Sequence, residues 1–421
     1  MTTVDLGRTR APTGWWRTQP KSRRTAYIVA AVFIVISVVR SISNQNDITS
    51  HLTIAFTITA MLPIAMAGLG GLVSERAGIV NIGLEGMMTL GTWGCGFFGY
   101  HFGPIAGLLG GAAGGAVGGL LHALATVTFG VDHVVSGVAI NLLASGWARF
   151  LSGSLFKGRG SGSETNSPGF NTNVFTLRVP GMKDGSALAK LERHHWPVLS
   201  DIAGVLRGSL GAWKFEQLVA LALVPLVGWL VWRTRFGLRL RACGERPAAP
   251  ESLGVSVYRM QYMAVTLSGA LAGIGGSLLV LNLNGVYQEG QTNNRGFLGL
   301  AALIFGNWRP TGLLGGAALF GFFDSLQLTA AGAVRGLYLA GAVAALLGAL
   351  LLWRKAKRPQ AISAIALAGG LLVLYISMYR MNDDLVKALP YFVTLVVLTV
   401  FSRRLRPPAA SGRVWRKGQS S

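Results

Sequence analysis

The sequence predicts an all-α, polytopic transmembrane helical bundle of about 10–12 spans, with short or broken helices. Three observations carry that prediction. Of the 421 residues, 51% are apolar and only 13% charged, with a mean hydropathy of +0.48, whereas a soluble domain carries about 25% charged residues. Apolar stretches near the ~20 residues that a helix needs to cross the hydrocarbon core recur along the chain. The net charge of +22 sits mostly in short clusters between them: Arg17 to Arg24, Arg233 to Arg246, Lys355 to Arg358 and Arg403 to Arg416. That placement follows the positive-inside rule rather than forming a basic face, and no nucleic-acid reading motif accompanies it.

Taken in order, candidate spans lie near 25–42, 51–73, 83–102, 105–128, 134–155, 216–233, 261–282, 297–307 (short), 311–331, 336–353, 361–380 and 386–402. With a cytoplasmic N-terminus, alternation places the basic stretches 234–260, 354–360 and 403–421 inside and the long segment 156–214 outside. The organisation is then a basic cytoplasmic tail (1–24), an N-terminal transmembrane half (25–155) and an extracytoplasmic loop (156–214). A C-terminal half (215–334), a helical hairpin (335–383), a final span (384–402) and a second basic cytoplasmic tail (403–421) follow. The chain is thus expected in the cell membrane, among lipid, with both termini cytoplasmic. The outer segment opens on GRGSGSETNSPG, a flexible loop, and holds a short helix near 186–207 that reads as a lid or docking surface.

The 58 glycines are patterned. Gly107, Gly111, Gly115 and Gly119 form one stripe, with Gly110, Gly114 and Gly118 beside it. Four-residue spacing puts glycines on one helix face, where backbones approach closely in lipid, so this helix is expected in the bundle centre. Cys95 and Cys243 fit no metal or disulfide framework. His122 and Asp324 are read as satisfied packing residues rather than a proton relay, because no chain of paired acids and histidines accompanies them.

The segment Ser74 to Met88, SERAGIVNIGLEGMM, places Glu75, Arg76, Asn81 and Glu85 among Gly78, Gly83 and Gly86 between two apolar stretches. Irregular polar backbone at membrane depth is tolerated where it is buried in protein or lines a cavity, and ionisable groups there mark pathways. The bland alternative is a cytoplasmic turn with a Glu75–Arg76 surface pair. Asn81, Glu85, Ser136, Asn141 and Ser145 are the polar groups inside spans able to meet a solute, although each is read first as an interhelical hydrogen-bonding group.

SERAGIVNIGLEGMM resembles the signature of permease subunits of ABC importers in the ribose and branched-chain amino acid permease superfamily, and within it the nucleoside permeases. Three further stretches are similar in the same order: VSGVAINLLASG (135–146), RACGERPAAPESLGVSVYRMQYMAVTLSGALAGIGGSLL (241–279) and GFLGLAALIFGNWRPTGLLGGAALFG (296–321). The resemblance covers roughly 50–155, 216–332 and 384–402, leaving 335–383 as an inserted hairpin without a counterpart, expected at the periphery. It implies a cytoplasmic coupling helix within 241–259, with Gly244, Glu245, Arg246, Glu251, Ser252, Gly254 and Tyr258 at the contact with an ATPase. Read from the residues, Pro247 and Pro250 act as stops, and Glu251 and Ser252 open a short helix reaching about Arg259.

The resemblance also implies the partners: an ABC ATPase subunit, a second related permease (a copy of this chain or a different one), and an extracytoplasmic substrate-binding lipoprotein. The chain has no GxxxxGK[ST] loop, so ATP is expected to be used by the partner subunit, with no cofactor on this chain and no enzymatic role. The competing class is a secondary transporter or channel, for which no coupling helix is expected.

Overall fold

The computed structural model describes residues 20–43, 45–329, 333–354, 358–377 and 405–417. The expected span 386–402 and most of the N-terminal tail lie outside the described residues. The elements in order are α1 (Lys21–Ser43), α2 (His51–Arg76), α3 (Leu84–Phe102), α4 (Pro104–Ala123), α5 (His133–Leu155), β1 (Thr176–Arg178), α6 (Ala187–Arg193) and α7 (Leu199–Leu210). Then come β2 (Ala212–Lys214), α8 (Phe215–Arg233), α9 (Arg235–Glu245), α10 (Ala248–Ser252), α11 (Val257–Asn282), α12 (Arg295–Phe305), α13 (Pro310–Thr329), α14 (Ala333–Arg354) and α15 (Arg358–Ser377). The two strands form one short antiparallel pair, with Leu177 opposite Trp213.

Six described helices are long and apolar enough to cross a membrane: α2, α4 with its π-helical last turn, α5, α8, α11 and α15. The most buried are α11 (72%) and α2 (56%), so these two form the centre; α15, at 11%, is peripheral and packs chiefly on α14. The main apolar core joins α2 and α11 to α8, α9, α12 and α13 through residues such as Leu69, Leu72, Val224, Leu271, Leu303 and Phe320.

The glycine-rich helix α4 stands one layer out from that centre, against expectation. A Cβ on Gly115 would overlap Gly269 and Gly273 of α11, and one on Gly119 would overlap Val265. Gly110, Gly114 and Gly118 instead meet Phe98, Leu90 and Met87 of α3. The second stripe therefore serves α3, while the first passes from α3 at Gly107, which meets Cys95 and Gly99, to α11 at Gly115 and Gly119. The third side of the helix, with Ile105, Leu109, Val117 and Leu120, is exposed and apolar.

The bundle has two distinct ends. At one, α6 and α7 cover the starts of α2 and its preceding turn: Gly204 and Gly208 press on the Thr49 and His51 carbonyls. There, Asp201 is fully buried and takes the Arg40 guanidinium at 3.1 Å, with Ser37 and Thr49 donating to the same carboxylate. Glu192 joins His51 at 3.0 Å to Arg207. Burial alone would raise the Glu192 carboxyl, but hydrogen bonds from His51 and Arg207 outweigh it and hold it below the usual range. A carboxylate depressed in the folded state stabilises above its unfolded pKa, about 4.3, and that contribution disappears as pH falls through the lower folded value. Acidifying from about pH 6 to about pH 3 is therefore expected to release α6 and α7, seen as faster amide exchange over 187–210 while α11 stays protected.

At the other end lie the break after α2, the helices α9 and α10, the α12–α13 turn and residues 405–417. Here the expected helix from Glu251 to about Arg259 does not form. Pro247 is the N-cap of α10, and Pro250 falls in its first turn, where the backbone donor it lacks is not needed. Glu251 and Ser252 end that helix rather than open it. Gly254 then takes φ +79°, a left-handed conformation that suits glycine. Ser256 caps α11 by accepting the Arg259 N–H, so Tyr258 and Arg259 belong to the first turn of α11.

Candidate functional site

The polar break between α2 and α3 organises the site. α2 ends where Gly78 adopts φ +94°, and the Ser74 hydroxyl closes the turn by donating to the Ile79 carbonyl at 2.6 Å. Glu75 and Arg76 do not pair with each other. The buried Glu75 carboxylate accepts the Trp308 indole N–H at 2.6 Å, while Arg76 donates to the Trp308 carbonyl at 2.9 Å, lies over the Trp232 ring and faces Glu245 at 3.8 Å. The pair of ionisable residues thus fastens the end of α2 to the α12–α13 turn.

Four of the five candidate pathway residues are engaged in holding the break. Asn81 is fully buried, donating to the Ser268 hydroxyl at 2.9 Å and to the Met87 sulfur. The Ser136 hydroxyl meets His122 Nδ1 at 2.8 Å, and His122 Nε2 reaches the Val80 carbonyl at 3.2 Å. Asn141 accepts the Gly86 N–H at 2.7 Å and donates to the Ile82 carbonyl at 3.2 Å. Glu85 accepts the N–H groups of Asn294 (2.9 Å) and Gly296 (2.7 Å), which open α12. Ser145 alone faces outward, bonded only to the Asn141 carbonyl one turn back at 3.2 Å.

The structure adds residues that the sequence did not single out. The helix α12 has 11 residues, about 16 Å of rise, too short to cross. Its Gly299 lies against Ile64 and Gly68, midway along α2, so its N-terminus opens inside the bilayer thickness. The chain between α11 and α12, residues 283–294, therefore turns back at depth, using left-handed Asn284, Asn293 and Asn294. Arg295 at its end pairs with Asp324 of α13 at 2.6 Å, which gives Asp324 a partner that no periodicity indicates.

This returning segment lies beside an outward stripe of α5. Asn141, Ser145 and Arg149 follow one another at four-residue spacing, hence on one helix face. Asn141 sits at the break, and Arg149 pairs with Glu289 of the segment at 3.6 Å. The loop after α5 covers its other side: Ser167 N–H donates to the Tyr287 carbonyl at 3.0 Å, and Glu289 N–H to the Thr165 carbonyl at 2.8 Å. Only 28% of α5 is buried, and Val138, Leu142 and Trp147 are exposed around the stripe. Among the described residues no cluster of His, Cys, Asp and Glu is arranged to hold a metal ion.

The profile of the family described as the permease component of branched-chain amino acid transport systems matches residues 53–352. The chain belongs to this permease family. It is accordingly a multi-pass membrane permease, a transport component and not an enzyme. The permease is 34% identical over 279 residues to the guanosine ABC transporter permease protein NupQ of Bacillus subtilis, covering 65% of this chain and 80% of that one. It is 32% identical over 290 residues to the nucleoside ABC transporter permease protein NupC of Lactococcus lactis, covering 66% and 83%. It is also 32% identical over 283 residues to a putative glucose ABC transporter permease protein, TsgC13, of Haloferax volcanii, covering 65% and 75%. No solved structure matches. The family match reaches residue 352 and so takes in nearly all of α14.

Proposed function

We propose that the permease is the membrane-spanning half of an ATP-driven importer of nucleosides, and that its share of the pathway is the face formed by α5 and residues 283–294. The observation that carries the reading is Ser145 and Arg149, exposed one turn apart on the outward side of a span, in line with Asn141 at the break. Such groups at membrane depth belong beside water or protein rather than lipid. A second permease, identical or related, set against this face would enclose a route along the axis between them. The nucleoside assignment is supported by the names of the guanosine and nucleoside relatives.

In this reading an ABC ATPase docks on the end that carries α9 and α10, with Gly244, Glu245, Arg246, Glu251, Ser252, Gly254 and Tyr258 in or beside the contact. Leu253, 83% exposed at the tip of α10, is the most projecting apolar group there. That end is cytoplasmic because it gathers the basic stretches. The opposite end, with α6 and α7, receives solute from a binding lipoprotein. ATP is bound and hydrolysed by the partner subunit, and this chain holds no cofactor.

The test is uptake of labelled guanosine, ribose and leucine by cells with the gene deleted and restored. Guanosine uptake alone is expected to fall; unchanged guanosine uptake overturns the substrate assignment. Ser145→Trp would fill the route without touching the core. It is expected to cut uptake at least about tenfold, with normal membrane levels by immunoblot.

A further inference from the structure

Residues 405–417 form an extended strap across the proposed cytoplasmic end. Arg406 N–H donates to Asn307 Oδ1 at 2.8 Å, Ala410 N–H to the Gly244 carbonyl at 2.9 Å, and Gly412 N–H to the Gly78 carbonyl at 3.0 Å. Farther on, the Trp415 indole donates to Glu251 at 3.0 Å and the Lys417 N–H to the Tyr258 hydroxyl at 3.2 Å. Leu405 and Trp415 rest on the main core, and Pro408 is buried. The strap thus ties the break after α2, the α12–α13 turn and the 244–258 segment to one another.

It also borders an open pocket. Pro407, Pro408, Ser411 and Arg413 form one wall of a cavity of about 440 Å³, whose other walls include Glu75 and Trp308. This cavity sits at the inner ends of α2 and α12, directly below the polar break. The short helix α10 touches both sides of the arrangement. Its Glu251 grips Trp415, while Leu253 at its end projects away from the strap. A segment held by a few backbone and side-chain hydrogen bonds, without a helix or sheet of its own, opens at lower cost than the bundle beneath it.

We propose that residues 405–417 are a latch that closes the cytoplasmic mouth of this cavity and is released through α10 when the ATPase draws that helix away. The proposal rests on the ATP-driven reading above. Four of the strap's hydrogen bonds end on residues 244–258, counting Ala409 N–H to Glu245 at 3.4 Å, so a displacement of that segment breaks them and frees this wall of the cavity. Release would leave the break and Glu75 open to the cytoplasm at the moment the coupling segment moves.

The test uses the whole transporter in proteoliposomes, with Glu251→Cys and Trp415→Cys joined by a short bismaleimide that contains a reducible bond. Cys95 and Cys243 are buried, and burial pushes the Cys243 thiol up to about 11, so neither native cysteine competes for the reagent. Tethering is expected to cut ATP-driven guanosine uptake at least about tenfold, and cleavage of the tether to restore it. Uptake that stays within about twofold of the untethered double variant, or that fails to return on cleavage, overturns the latch. If the unsubstituted transporter shows no ATP-driven uptake, the importer reading itself has failed. In that event the latch is judged by maleimide labelling of Trp415→Cys alone, which MgATP should accelerate; equal labelling rates with and without MgATP reject it.

Discussion

Gly273→Leu is expected to abolish accumulation of folded permease. Three helices meet at this position. A Cβ there would overlap the Gly111 carbonyl of α4 and crowd Gly115 at 3.0 Å, while Gly91 of α3 already rests on the Gly273 backbone. The obstructing atoms are backbone of α4, which has no rotamer to yield, so α4 must move away from α11. Overpacking at a single side-chain contact costs about 1–3 kcal/mol, and here a whole backbone-to-backbone interface is pushed apart. In lipid such interfaces depend on close backbone approach, since tails compete for any looser apolar surface. Gly315 of α13 has nothing within 4 Å of a built Cβ, so Gly315→Leu serves as the control. Detergent extraction followed by fluorescence-detected size exclusion should show the monodisperse peak lost for the first variant and kept for the second. Equal peaks would show that the glycine cluster is not what brings the three helices together.

Glu85→Ala should produce the next largest effect, a destabilised but assembled bundle. The carboxylate stands in the first turn of α3 and accepts two N–H groups from the start of α12. It therefore lies between two helix N-termini, each equivalent to about half a positive charge. Removing it leaves those ends facing each other at depth. A hydrogen bond to a charged group contributes about 1.5–3 kcal/mol, so the loss of two is expected to lower the melting temperature by roughly 5–10 °C. Glu85→Gln, which keeps an acceptor but not the charge, should fall between. Thermal scans of the detergent-purified permease decide it: a Tm for Glu85→Ala within about 1 °C of the unsubstituted protein would remove Glu85 from this role.

The spans were legible because hydropathy is a property of a window, not of a partner. Helices at Lys21–Ser43, His51–Arg76 and Val257–Asn282 match the apolar stretches near 25–42, 51–73 and 261–282 to within a few residues. The glycine stripes likewise announced close helix contacts, although spacing alone did not show that two neighbours divide them. Charge marked the break after α2 as special, yet what Glu75 and Glu85 do depends on Trp308, Asn294 and Gly296, more than two hundred residues away in sequence. By sequence Pro247 and Pro250 read as stops; in a short helix the same residues suit the start, where no donor is required. The returning segment 283–294 and the strap 405–417 have neither helical nor strand periodicity, and they are held in part by backbone hydrogen bonds, which carry no side-chain signal, and in part by side-chain partners far away in sequence. The asparagines at 284, 293 and 294, able to take left-handed φ, and the single tryptophan of the basic tail at 415 were the only traces they left.

The outward stripe of α5 bears on how each half meets its solvent. A copy of this chain standing alone in a bilayer would present Ser145 and the Arg149–Glu289 pair on an exposed face, and ionisable groups at membrane depth are costly unless they face protein or water. The isolated chain is therefore an unfinished object in its own solvent. Under the proposed pairing, a second permease set against this face would take those groups out of lipid, so that assembly itself completes the solvation of each half.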